Sequence, residues 1–358
     1  MGMGRAGRLN RGFRSRGLAL LALVGVACVV GWSGGGGARR DRPADRIARH
    51  RQYILASQRP TGAIALTPAR LDINPYFANR AARALLADRS GRAAVRRYMN
   101  WYVRHLNPDG TIDDFTVRHG MEVSRGTRDS SDAYAATFLS LVAAYLDAGG
   151  DVRWVRAHLD DLRRVAGAIE SLTDRDGLTW ARADYPVKFL MDNVEVWRGW
   201  FDWARVLEAA GEREEAAAAR ERAARVESAL GRFARGDGRL DWGLGPYGTR
   251  WRSEGRFYPD GVVQFFPLVH GLTDDPAGYH AFAAAHPAWH RLEEDAFPWV
   301  LAAVAAARAG DRPRAAAALA EVEERFAGLE YPWHVGESAA YIEAAELLAR
   351  RSPAGPEA

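Results

Sequence analysis

The sequence has one cysteine, Cys28, and one lysine, Lys188. A lone cysteine excludes an intrachain disulfide framework and a zinc site built on cysteine ligands. Glycine and proline, 36 and 16 of 358 residues, are too few for a collagen-like or low-complexity chain. Strand-like alternation of apolar and polar residues is scarce. No G-x-x-x-x-G-K-[ST] is present, and no G-x-G-x-x-G follows a strand, so nucleotide binding is unsupported. His286 and His290 stand four apart without the glutamate of H-E-x-x-H, and there is no G-x-S-x-G elbow. No metal or other cofactor is expected.

A basic excess is lacking too, once the charge is located. The formal net charge is +4, but residues 1–42 hold eight arginines against Asp41, a net of +7. The rest of the chain therefore carries about −3, which gives phosphate contacts no basic excess and argues against nucleic-acid binding. The oligomeric state has no signature here.

What is present begins with an apolar stretch at 17–32, preceded by five arginines. A positive segment followed by a short hydrophobic run is an export signal. Gly25-Val26-Ala27 before Cys28 suits cleavage or a weak lipoprotein box. The alternative is an uncleaved signal anchor, slightly shorter than the ~20 residues that span a bilayer. All three place the remainder outside the cytoplasm, secreted, lipidated or anchored in a bacterial-type envelope. The domain reading is 1–33 signal or anchor, 34–42 linker, 43–352 globular domain and 353–358 disordered tail.

From about residue 43 apolar positions recur at spacings of three and four. Twelve helical segments are expected, near 43–58, 74–88, 91–106, 131–149, 151–172, 190–210, 212–234, 258–271, 276–290, 295–309, 312–328 and 336–350. Turn signals such as Asn107-Pro108-Asp109-Gly110 and Ala210-Gly211 separate them. Charged amphipathic segments alternate with segments apolar nearly all round, as outer and buried helices do. Six such helical hairpins close into an all-α (α/α)6 toroid. The absence of a repeat motif at fixed period counts against a solenoid. Short β-hairpins are expected at 177–183 and 237–251.

Each inner helix opens on polar and aromatic residues, and parallel inner helices bring those openings to one mouth. Asp129 reads as an ordinary N-cap, and Pro75, Pro259 and Pro298 as normal first-turn prolines. Capping does not explain the aromatic residues beside the acids. A pyranose offers apolar faces to aromatic rings and hydroxyls to polar groups, so the candidate substrate-binding residues are Asn74, Tyr76, Tyr134, Trp197, Trp251, Tyr258, Gln264, Trp299, Trp333, His334 and Glu337, with Trp200 as a further ring. Trp101, Trp154 and Trp203 read as packing.

The openings Ile73-Asn74-Pro75-Tyr76-Phe77-Ala78, Asp129-Ser130-Ser131-Asp132-Ala133-Tyr134-Ala135-Ala136-Thr137-Phe138, Asp192-Asn193-Val194-Glu195-Val196-Trp197-Arg198-Gly199 and Tyr258-Pro259-Asp260-Gly261-Val262-Val263-Gln264 resemble the six-hairpin glycosidase-like superfamily. Its members are (α/α)6-barrel enzymes acting on poly- and oligosaccharides. The resemblance covers roughly 50–350 and identifies no single catalytic family. It implies a poly- or oligosaccharide partner.

The catalytic expectation rests on chemistry alone. Glycosidic cleavage needs one protonated carboxyl and one carboxylate acting as base or nucleophile. Asp192, Asp132, Asp260 and Glu195 are the candidates. Asp192 at the head of an apolar helix is the expected acid, Asp132 its expected partner with Asp260 behind it, and inversion the expected outcome. A lyase or epimerase using Tyr134, Tyr258 or His334 with Arg198 and Arg252 is one alternative. A non-catalytic glycan-binding or assembly toroid is the other.

Overall fold

The computed structural model describes residues 42–350 apart from Asp88. The apolar run at 17–32, Cys28, the linker and the tail lie outside the described residues. Among the described residues no helix is long and apolar enough to cross a membrane.

Thirteen α-helices appear among the described residues. Six form an inner ring: α2 (Pro75–Ala84), α4 (Ser131–Asp147), α7 (Leu190–Ala210), α9 (Val262–His270), α11 (Leu301–Arg308) and α13 (Val335–Ala349). Each packs on the next, and α13 packs back on α2 to close the ring. The outer layer is α1 (Pro43–Ala56), α3 (Arg89–Arg104), α5 (Val152–Ala157), α6 (Leu159–Leu172), α8 (Arg213–Leu230), α10 (Ala277–Ala285) and α12 (Arg312–Arg325). α3 bridges α2 and α4, α6 bridges α4 and α7, α12 bridges α11 and α13, and α1 bridges α13 and α2. The fold is the expected all-α toroid.

Sequence character decides the layer. α4, SDAYAATFLSLVAAYLD, is buried on nearly every side. α8, REEAAAARERAARVESAL, buries only its Ala216, Ala219, Ala223, Val226, Ala229 and Leu230 stripe, as an amphipathic covering helix does. α4 and α7 approach so closely at Gly199 that a Cβ there would sit 2.8 Å from Ala136.

Some boundaries differ from expectation. The segment expected over 151–172 breaks at His158, where φ −117° and ψ 18° separate α5 from α6. The segment expected from 295 becomes helical only at Leu301. Before it, Trp299 holds φ 49° and the Val300 N–H is taken by the Glu337 carboxylate. β5 (Gly243–Leu244) and β6 (Arg250–Trp251) pair within the second expected hairpin, and β4 (Lys188–Phe189), from outside it, completes one small antiparallel sheet. The hairpin expected at 177–183 is replaced by the isolated bridges Thr173–Thr179 and Arg182–Tyr185. A second sheet, β1 (Asp72–Ile73), β2 (Phe115–Arg118) and β3 (Met121–Ser124), was not anticipated. Its register pairs Ile73 with Phe115, which brings the next residue on one strand, Asn74, to the residue preceding the other, Asp114.

Candidate active site

The N-termini of α2, α4 and α7 are tied together by side chains. Asn74 caps α2 by accepting the Phe77 N–H at 3.1 Å. Its amide donates to Asp114 Oδ1 at 3.1 Å and to the Tyr134 hydroxyl at 2.6 Å. Tyr134 donates to Asp114 Oδ1 at 3.0 Å. Burial, only partly offset by that hydrogen bond, raises the Asp114 carboxyl to about 6.

Ser130, not Asp129, caps α4. Its hydroxyl lies 2.5 Å from Asp132 Oδ1 and 2.9 Å from Asp192 Oδ2. A hydroxyl owns one proton, so it serves one of these carboxyls and the other must bring its own. Asp132 already accepts the Thr179 hydroxyl at 2.5 Å and the Ala133 N–H at 2.8 Å. Burial raises Asp132, but these donors favour its ionised form. Asp192 is pushed well above the usual carboxylate range by burial, then by the charges of Asp132, Glu195 and Asp129. The proton of the pair therefore rests on Asp192, which donates it to Ser130. Asp132 has no solvent exposure, whereas Asp192 is half-buried. Thr179 is held in place by Asn193, which accepts its N–H at 2.7 Å.

One turn along α7, Glu195 accepts the Tyr76 hydroxyl at 2.7 Å. Burial raises Glu195 to about 8 against the opposing pull of Arg80 and Tyr76. Tyr76 and Glu195 thus form a layer beneath Asp192.

Across the mouth, Tyr258 is exposed and stacks on Trp299 at 4.6 Å and 22°. Enclosure of its hydroxyl end, then the charge of Asp129, raises the Tyr258 hydroxyl. The Trp299 indole N–H is without a partner. Glu337 braces this segment through the Val300 N–H at 2.9 Å and is raised by burial to about 7. His334 caps α13, its Nδ1 accepting the Gly336 N–H at 3.0 Å. Burial, then Arg80, lowers His334 to about 3, so the ring is neutral with its proton on Nε2.

The structure thus gathers Asn74, Tyr76, Asp132, Tyr134, Asp192 and Glu195, with Tyr258 and Trp299 facing them. Other candidates are corrected by their surroundings. Asp260 forms a buried ion pair with Arg235 at 2.7 Å, and Arg235 also holds Asp241, so its carboxylate is bound to a structural network. Gln264 clasps the backbone of Leu240 through both ends of its amide. Trp197 and Trp200 are buried. Trp197 donates to Glu227 on α8, and Trp200 lies under Arg222 of α8. Trp333 is a core residue with 0% exposure, donating to Ser338. Trp251 packs edge-on against Trp242 and Phe189. Tyr134 is buried to 2%, so it positions Asp114 and offers no stacking face. The residues missed were Asp114, Ser130, Thr179 and Asp129. Asp129 is exposed at the mouth, where surrounding protein raises its carboxyl.

No protein-family model and no curated protein sequence matches the chain. Solved structures do. A wild-type glycosidase superposes with a TM-score of 0.63 at 16% identity, over 88% of this chain and 99% of its own. A glycosidase variant in complex with glucose gives 0.64 at 15%, over 88% and 99%. A rhamnosidase from Klebsiella oxytoca with rhamnose bound gives 0.57 at 12%, over 86% and 64%. The chain has the six-hairpin glycosidase-like fold.

Proposed function

We propose that the protein is a glycoside hydrolase acting on a poly- or oligosaccharide, with Asp192 as general acid. The observation that carries this reading is the carboxyl pair bridged by Ser130. It keeps a proton on the half-buried member, Asp192, and an ionised carboxylate on the enclosed one, Asp132. A glycosidic oxygen needs that proton as its bond to the anomeric carbon breaks. Asp132 then stabilises the proton-bearing neighbour and does not face the substrate. That makes it a positioning residue, in place of the paired role expected from sequence. The solvent-facing carboxylate closest in character to a base or nucleophile is Asp129, whose charge reaches Asp192 and Tyr258.

The exposed Tyr258 ring, backed by Trp299, supplies an apolar face. The neighbours with glucose and rhamnose bound support a hexose or deoxyhexose in the subsite beside Asp192. The residues a lyase would use are engaged otherwise. Arg198 is paired with Asp202 and Arg252 with Asp241, and burial raises the hydroxyls of Tyr134 and Tyr258. Export rests on the sequence of the first 42 residues alone. It would put the domain among envelope or extracellular glycans.

A panel of oligosaccharides resolved by chromatography tests the reading. Cleavage to a reducing sugar with no absorbance from an unsaturated product supports it, and an unsaturated product overturns it. Proton NMR of the first-formed anomer separates inversion from retention.

A further inference from the structure

At the end of the ring opposite the mouth lies a cavity of about 410 Å³. It is lined by Arg80, Arg83, Arg198, Arg308, Arg350 and His270, with the carboxylates of Glu195, Glu343 and Glu346 also on its wall. Tyr76 and Glu195 separate it from the mouth. Three of its carboxylate contacts are internal pairs: Arg198 with Asp202 at 2.8 Å, Arg308 with Glu343 at 3.0 Å, and Arg51 with Glu346 at 2.7 Å. Among the described residues, Arg80, Arg83 and Arg350 have no carboxylate in ion-pair contact. The one hydrogen bond of Arg80 is a long 3.4 Å contact to the Tyr76 hydroxyl. Glu195 and Glu343 act on Arg80 from beyond ion-pair contact. The His270 Nε2 is buried without a hydrogen bond and lies 3.8 Å from Glu195 Oε1. Burial keeps His270 uncharged, reinforced by the convergence of Arg80, Arg83, Arg308 and Arg198 upon it.

Helix C-termini favour cations in their last turn, which accounts for Arg83 and Arg308. It does not account for Arg80, which stands before the last turn of α2, where an enclosed guanidinium with no carboxylate in ion-pair contact is costly. A planar guanidinium matches a carboxylate or phosphate edge with paired N–H donors. The volume suits a small molecule.

We propose that this basal cavity binds a small multivalent oxyanion, of the phosphate or polycarboxylate class, independently of the sugar site at the mouth. Calorimetric titration of the full chain at pH 7 with inorganic phosphate and with citrate, against sodium chloride at matched ionic strength, tests it. Saturable binding of either anion at one equivalent is expected, and the better of the two names the class. Arg83→Gln at the exposed rim, and Arg80→Gln within, should each weaken that binding by about tenfold. Asp192→Asn, at the mouth, should leave it within twofold. Absence of saturable binding beyond chloride overturns the proposal. So does binding indifferent to both arginine substitutions, or binding abolished by Asp192→Asn. A thermal melt of each variant identifies loss of fold, and Arg83→Gln carries the test where Arg80→Gln fails to fold.

Discussion

Asp192 is joined to Asp132 through a single hydroxyl, that of Ser130, which lies 2.9 Å from the first carboxyl and 2.5 Å from the second. The link is made by two helix openings. Ser130 caps α4 with the same oxygen, accepting the Ala133 N–H at 3.3 Å, and Asp192 enters from the first turn of α7. A hydroxyl fixed by a capping bond cannot swing to solvent, so the two carboxyls stay in contact with one proton to share. A water held between two carboxyls, as inversion needs, requires about 6.5–9.5 Å. Asp132 and Asp192 touch the same atom, so they are not an inverting pair.

Asp192→Asn should lower kcat by about 10²- to 10⁴-fold, the usual worth of a positioned general acid, while KM changes little. Its melting temperature should not fall, because the substitution removes a carboxyl held among like charges. Steady-state kinetics on the cleaved oligosaccharide check this. Turnover within a few-fold of the parent removes Asp192 from the mechanism.

Asp132→Asn should act through pH. With the neighbouring negative charge gone, Asp192 loses its proton more readily, and the basic limb of kcat against pH should move to lower pH by about one unit or more. The rate deficit should then be smaller at pH 5 than at pH 8. A uniform loss across the profile would show that Asp132 matters only for structure.

Asp260→Asn separates a structural acid from a catalytic one. The Arg235–Asp260 pair is almost wholly enclosed, with 4% and 6% side-chain exposure. Breaking a buried pair costs about 3–5 kcal/mol. The variant should melt well below the parent yet retain kcat within a few-fold at temperatures where it is folded. A thousandfold loss of kcat in a fully folded variant would restore Asp260 to the active site.

Helix positions were legible because burial imposes a period on the residue pattern, and the alternation of charged with wholly apolar segments told outer helices from inner. The site was legible only where chemistry coincides with a helix start, as at Asn74, Asp132 and Asp192. A shift of one residue decided Asp129: with Ser130 as the cap, the acid before it is left open to solvent. Asp114 precedes a short strand and reaches the site through cross-strand register with Asn74, which no local pattern encodes. The aromatic residues divided by direction. Tyr258 turns to the mouth, while Trp333, just before α13, turns into the core, and Trp197, two turns into α7, turns onto α8. Asp260 looked like its neighbours in sequence, and only the fold brings Arg235 to it.

Glu195 gives a stability prediction whose sign follows from its environment. Its ordinary value is 4.5 and burial raises it to about 8 in the folded chain. Below about 4.5 the group is protonated in folded and unfolded chains alike and makes no difference. Between 4.5 and 8 the unfolded chain releases the proton and the folded chain retains it, so stability falls as pH rises. Above 8 the folded chain ionises too and the full cost of the buried charge is in place. Glutamine keeps an oxygen for the Tyr76 hydroxyl and cannot ionise. Glu195→Gln should therefore melt at the same temperature as the parent at pH 4.5 and about 2 °C or more above it at pH 8. Glu337, raised to about 7, works in the same direction, so the parent itself should lose stability between pH 5 and pH 8. Scanning calorimetry of both proteins across that range decides the point. A difference in melting temperature that does not grow with pH would mean that Glu195 is ionised throughout, with Arg80 and Tyr76 holding its charge.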